Sequence, residues 1–148
     1  MLVTEFDRTD MVRVTRIASP DDRADIQALC RVLVEFDTQT RSAPNKPVHL
    51  VLAETSVVTN ASDRRDFADV AKNLRAPRHI FALVSPSIVL RGALQAVQWL
   101  TPPPPGHRVS AFSKLDDAKT WVRLESGLQL LQLDDLLRRV GYASTPSM

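Results

Sequence analysis

Two short and almost uninterrupted apolar stretches, Val48 to Ala53 and Ile80 to Val84, limit what this chain can fold into more than any other feature. A run of that kind has hardly a polar side chain to turn toward water, so it reads as a strand buried on both faces. Each is followed by a segment whose apolar residues recur every three or four positions, the mark of a helix with one dry side. Strands covered on both faces and separated by helices belong to a parallel sheet with helical crossovers.

The remaining elements fit around those two strands. Leu2 to Asp7 and Met11 to Ala18 are rich in Val, Thr and Ile and flank Asp7-Arg8-Thr9-Asp10, turn chemistry that predicts a hairpin. In the second of these strands Val12 and Val14 alternate with Arg13 and Thr15, which predicts one face in a core and one in water. Ser19-Pro20-Asp21-Asp22 opens a first helix that reaches about Arg41 and carries Ile26, Leu29, Cys30, Leu33 and Phe36 on its buried stripe. Ser62-Asp63 caps a second helix with Phe67, Val70, Ala71 and Leu74 inward. Ser85-Pro86-Ser87 starts a third, which ends at Thr101 before the stiff connector Pro102 to Pro105. A strand from Arg108 to Phe112 leads into a fourth helix through Ser113-Lys114-Leu115-Asp116, which resembles a capping box. A leucine-rich fifth helix is expected from about Gly127 to Val140. The fold class is α/β, a mixed five-stranded sheet with an antiparallel N-terminal hairpin, a parallel core and helical crossovers.

At 148 residues the chain has room for one core, and its hydrophobic content of 44% against 24% charged residues is that of an ordinary globular domain. The net charge of +2 comes from 19 basic and 17 acidic residues, and the basic pairs Arg64-Arg65 and Arg138-Arg139 sit among aspartates. That pattern is a solvated helix face, so nucleic acid is not expected as a partner. The single cysteine, Cys30, permits neither an internal disulfide nor a cysteine zinc site, which fits a reducing compartment. The first residues carry acids where a signal peptide needs a basic flank, and no stretch supplies the apolar length of a membrane span, so a cytoplasmic location is expected.

A parallel sheet gathers the carboxyl ends of its strands and the amino ends of the following helices along one edge, the place where ligands of such sheets sit. Hydroxyls fall there repeatedly: Thr55 and Ser56 after one strand, Ser85 and Ser87 after the next, and Ser113 after the last. Helix amino ends favour an anion, which makes these residues a candidate phosphorylation or anion-binding edge, although plain helix capping accounts for serines at such positions. His49, His79 and His107 fall at the starts of the parallel strands and gather on the opposite edge. Neither carboxylate nor cysteine accompanies them at ligand spacing, so no metal site is expected. Only 4 glycines are present, and neither phosphate-loop spacing nor a nucleophile elbow occurs, so no cofactor, no catalytic residue and no enzyme activity are expected. In the last helix Leu130, Leu133, Leu137 and Val140 follow a three-four spacing compatible with helix pairing. Packing on the sheet competes there with an association surface for a second protomer.

The stretch from Arg78-His79-Ile80-Phe81-Ala82-Leu83-Val84 through Val109-Ser110-Ala111-Phe112 to Leu115-Asp116-Asp117-Ala118-Lys119-Thr120-Trp121-Val122 resembles the STAS or SpoIIAA-like family, as does the order of elements over residues 1 to 124. The resemblance implies a small cytoplasmic regulatory domain without enzyme activity, with residues 125 to 148 as an added helix and tail. It also implies a protein partner bound at the helix amino ends. In the switching branch of that family a hydroxyl near a helix start is phosphorylated; Glu54-Thr55-Ser56-Val57 stands at the matching place but lacks the branch's glycine. A second expectation, from the apolar surplus in the last two helices and from lipid carriers among related folds, is a module that binds a small apolar ligand.

Overall fold

The parallel strands lie in the sheet in the order in which they occur in the chain. The computed structural model, which describes residues 2–17, 23–53, 61–100 and 102–142, contains β1 (Leu2–Asp7), β2 (Val12–Ile17), α1 (Arg23–Thr40), β3 (Val48–Ala53), α2 (Ala61–Lys72), β4 (His79–Val84), α3 (Ile88–Leu100), β5 (His107–Phe112), α4 (Leu115–Ser126) and α5 (Leu133–Arg139). The sheet runs β1-β2-β3-β4-β5, with β1 and β2 antiparallel and each later pair parallel. This is the mixed α/β sheet expected from the sequence. With the strands stepping steadily one way, crossovers of one hand put α1, α2 and α3 on the same face. The segment after β5 turns back across the other face, where α4 and α5 pack.

Side chains alternate between the two faces of a strand. Val14, Leu50, Ile80 and Ala82 meet Ala118 and Val122 of α4 and Leu133 and Leu137 of α5. Ile17, Val51, Ala53 and Leu83 meet Leu29 of α1, Phe67 of α2 and Leu90 and Leu94 of α3. All of β3 is buried, which is what its near-absence of polar residues demands.

Three local expectations are corrected. Arg13 and Thr15 are buried rather than wet, because α1 lies over the face of β2 that they share. The fifth helix starts at Leu133, not near Gly127: Gly127 takes a left-handed conformation (φ 71°) and donates its N–H to the Arg123 carbonyl, which closes α4. Leu130 is also left-handed (φ 53°), so Leu128 and Leu130 reach the sheet from irregular chain. Lys114 occupies the N-cap of α4 without a side-chain cap bond, so the capping box at Ser113 to Asp116 does not form. The expected opening of α1 at Ser19-Pro20 lies outside the described residues.

The loop that delivers β4 is held by one buried carboxylate. Asp37 Oδ1 accepts the backbone N–H of Ala76 at 2.8 Å and that of Arg75 at 3.0 Å, while Arg41 donates to Oδ2. A second constraint comes from Gly106 (φ 89°), where a Cβ would stand 2.5 Å from the Pro77 carbonyl oxygen. Together they fix residues 74–77 against the entry to β5, and so set the depth at which His79 and His107 begin their strands. Asp37→Ala strips two backbone amides of a charged acceptor, so it should lower unfolding free energy in urea by about 2 to 3 kcal/mol. Asp37→Asn keeps an acceptor oxygen and should lose less; equal losses in the two variants would contradict the clamp.

Candidate functional site

The sheet face under α1, α2 and α3 is divided along the strands. Toward the C-terminal ends it is apolar. Toward the N-terminal ends it carries Thr4, Arg13, Thr15, His49, His79 and His107, set on one face by the period-two alternation and by the register, in which Arg13 lies beside His49 and His79 beside His107.

Half of this polar strip is a hydrogen-bonded chain, although Arg13 Nε and His49 Nδ1 find no partner among the described residues. Arg13 donates through Nη2 to Gln39 Oε1 at 2.8 Å and through Nη1 to the Thr4 hydroxyl at 3.0 Å. The Thr4 and Thr15 hydroxyls are 2.9 Å apart, and Thr15 lies 2.8 Å from His49 Nε2. Because a guanidinium only donates, the cooperative arrangement runs outward from Arg13, each hydroxyl accepting once and donating once until His49 Nε2 accepts. The Arg13 guanidinium also lies 5.0 Å from the ring centre of Phe6 and 5.8 Å from that of Phe36, which offsets part of the cost of burying it.

The other half opens on empty space. A cavity of about 150 Å³ lies between the sheet and the three helices. Val51, Phe81 and Leu83 form its floor, with Phe67 and Val70 of α2 and Leu94 of α3 above. Arg64, Gln98, His79 and His107 bring the polar groups to its wall, and the exposed Pro103 and Pro104 stand along its rim. His107 Nε2 donates to the Ala76 carbonyl at 2.6 Å, an oxygen that can only accept. The His79 ring packs edge-on to His107 and tilted against Phe36, and its fully enclosed Nε2 has no hydrogen-bond partner among the described residues.

Burial decides the charge of this layer. It pushes His49 well below the ordinary histidine range, with the neighbouring His79 and Arg13 acting in the same direction. His79 is pushed down to about 4, again chiefly by burial and next by His107, with Asp37 partly opposing. Both rings are therefore neutral near pH 7. Burial also raises the Cys30 thiol to about 11, helped by Asp66 and Asp63, so it is not a poised nucleophile.

The residues singled out by sequence are dispersed by comparison. Ser85 is fully buried; its Oγ accepts the Ser87 N–H at 3.1 Å, and Ser87 Oγ accepts the Leu90 N–H at 3.1 Å as the cap of α3. Ser85 N–H donates to the Phe112 carbonyl, so Ser85, Ser87 and the exposed Ser113 do share the C-terminal edge. Thr55 and Ser56 lie outside the described residues, as does the side chain of Trp99. Leu130, Leu133, Leu137 and Val140 are buried in this chain's own core on the α4 and α5 face. The sheet already covers the surface they were expected to offer a second protomer. Among the described residues the large apolar side chains left exposed are Val34 on α1, Ile88 (77%) and Val89 (64%) at the start of α3, and Leu124 and Leu131 (76% each) on the opposite side. Among the described residues no group of three or more His, Cys, Asp or Glu is placed to hold a metal ion, and no helix is long and apolar enough to cross a membrane.

Sequence reasoning placed the three histidines on one edge but passed over them. The available signal was their parity. His49 and His79 each sit an even number of positions from a face-sharing apolar residue, Val51 and Phe81, so they had to lie on the face that α1 to α3 cover. Comparison with protein-family models, curated proteins and solved structures finds no match to this chain.

The neutral, buried state of the histidines has a measurable cost in acid. An unfolded chain takes up protons on these rings near pH 6.5, whereas folded His79 resists until about 4, so stability is complete above pH 6.5 and falls as pH drops toward 4. For His79 alone the loss over that interval is on the order of 3 kcal/mol. Urea unfolding of His79→Gln between pH 7 and 4.5 should show a visibly shallower pH slope than the unmodified chain; parallel slopes would contradict the assignment.

Proposed function

We propose that this chain is a non-enzymatic binding domain that holds a small apolar molecule in the cavity between the sheet and helices α1, α2 and α3. The observation that carries the reading is the cavity itself, about 150 Å³ walled by Val51, Phe67, Phe81, Leu83 and Leu94. Well-packed interiors leave few spaces larger than a water molecule, and a partly open space of this size with mostly apolar walls suits a compact apolar guest. The absence of enzyme activity is supported by the serines of the C-terminal edge, whose hydroxyls serve as caps, and by the raised Cys30 thiol. A cytoplasmic setting, the use of no cofactor and the resemblance to the STAS or SpoIIAA-like family belong to the same proposal.

A second reading, a regulatory domain that docks a protein partner at the helix amino ends, is favoured by one separate feature. Ile88 and Val89 stand exposed in the first turn of α3, directly after the Ser87 cap. An apolar pair at a polar edge is the ordinary composition of a contact surface. Leu124 and Leu131 would serve a homodimer in the same way. The two readings are compatible, because the cavity and the edge are built from different residues.

The first reading is tested by loading the cavity. Toluene at millimolar concentration should raise the thermal midpoint of the unmodified chain, and native mass spectrometry of freshly purified protein should show a small co-purifying mass. Ala93→Leu, which places added methyl groups in the same space, should abolish the toluene response and leave the unliganded midpoint within about 3 °C. A midpoint insensitive to toluene in the unmodified chain would remove this reading.

A further inference from the structure

β5 is the last strand of the sheet, and its outer edge is open. The Gly106 and Phe112 carbonyls accept the N–H groups of His79 and Ser85, so by the two-residue alternation of a strand Arg108 and Ser110 also turn their backbone groups toward β4. Val109 and Ala111 therefore point theirs outward, where no described residue bonds them. Natural edges are guarded against pairing by proline, bulges or charge. β5 has no proline, keeps an unbroken register with β4 and carries one charged residue, Arg108. Both helices beside the edge leave room for a neighbour. On one face a cleft of about 430 Å³ lies between β5 and the α3 row Ile88, Arg91, Gly92 and Gln95, and a Cβ at Gly92 would meet nothing within 4 Å. On the other face Trp121 packs on Phe112 and Glu125 pairs with Arg108, which turns that flank of α4 to the edge and leaves Leu124 76% exposed there.

We infer that a second copy of this chain occupies the edge, paired β5 to β5 antiparallel about a two-fold axis at Ser110, so that two five-stranded sheets become one of ten strands. A surface that pairs with its own copy must match itself about one point, and here three elements share that point. α3 returns from the end of β4 toward the start of β5, and its middle, Gly92, lines the same cleft as Ser110. α4 runs back along β5, and Leu124 falls between the contact of Trp121 with Phe112 and that of Glu125 with Arg108, again level with Ser110. Rotation about Ser110 therefore sets Leu124 against Leu124 and Gly92 beside Gly92, where the missing side chain lets two helices approach. Val109 comes opposite Ala111, and both such pairs exchange two backbone hydrogen bonds. Strands about 4.8 Å apart put the two α4 helices about 10 Å from each other, an ordinary packing distance. Charge agrees as well. Arg108 falls opposite Phe112, and exposed Asp117, one turn before Trp121 on the same flank of α4, lies next to that position. The inference does not depend on what the cavity holds.

Sedimentation equilibrium of the unmodified chain should show a dimer at concentrations up to about 100 µM. Ala111→Pro removes an N–H that the single chain does not use, so β5 should still pair with β4 while dimer affinity falls at least about tenfold. Where that variant fails to fold, Gly92→Lys replaces it: its side chain enters open space in one chain but meets its counterpart across the axis, and the dimer should weaken by at least about tenfold. Ser110→Cys tests the register. Ser110 faces itself in a non-hydrogen-bonded pair, the closer kind, so mild oxidation should link two copies much faster than it links the unmodified chain, whose one thiol is Cys30. A chain that sediments as a monomer overturns the inference. So does a dimer that withstands the substitutions and gains no link through Ser110→Cys, since its interface then lies elsewhere. Neither result touches the toluene response, so the cavity reading stands or falls separately.

Discussion

Covering a parallel sheet on both faces removes water from every side chain of its middle strands, and most of what is distinctive in this protein follows from that exclusion. β3 is buried along its whole length, so His49 must exist without solvent. It does so by remaining neutral and by taking a hydrogen bond from a chain of hydroxyls that begins at Arg13. The same exclusion forces Arg13 to spend its donors on Gln39 and Thr4 and to rest its plane near Phe6 and Phe36. A polar strip survives inside an apolar layer because several of its donors and acceptors pair with one another, Arg13 Nε and His49 Nδ1 excepted.

The strip is not satisfied all the way across. On the β1 to β3 side, hydroxyls one strand apart bridge the gap between cation and imidazole. On the β4 and β5 side no hydroxyl is available, α2 and α3 stand away from the floor, and a cavity replaces the network. The transition from filled to empty occurs at His79, whose backbone position is set by the Asp37 clamp on residues 75 and 76 and by the close approach of Gly106 to Pro77. Loop anchoring, strand depth and cavity chemistry are thus parts of one arrangement, and the α4 and α5 face serves as a plain packed core behind it.

Much of the fold was legible because it depends on local pattern. The apolar runs at Val48 and Ile80, the hairpin turn and the helix stripes place every strand to within about a residue. The failures came where chain geometry overrode composition. Seven leucines and valines after Gly127 look like one long helix, but a left-handed glycine and a left-handed Leu130 break it, and all of them except the exposed Leu131 turn inward to cover the sheet. Arg13 and Thr15 look like the wet side of an edge strand, but β2 has a neighbour on both sides and a helix above.

The candidate site was legible only in its parts. The sequence by itself determined the strand order along the chain, the class of the sheet and the edge on which three histidines begin their strands, because periodicity and residue parity are properties of consecutive residues. Which ring nitrogens of those histidines find a partner, and whether the space beside them is filled, depend on residues far apart in sequence, Asp37 with Ala76, Thr15 with His49, Phe81 with Leu94. Tertiary structure alone decided those matters, because dielectric, hydrogen-bond supply and free volume are set by what packs around a residue rather than by what precedes and follows it.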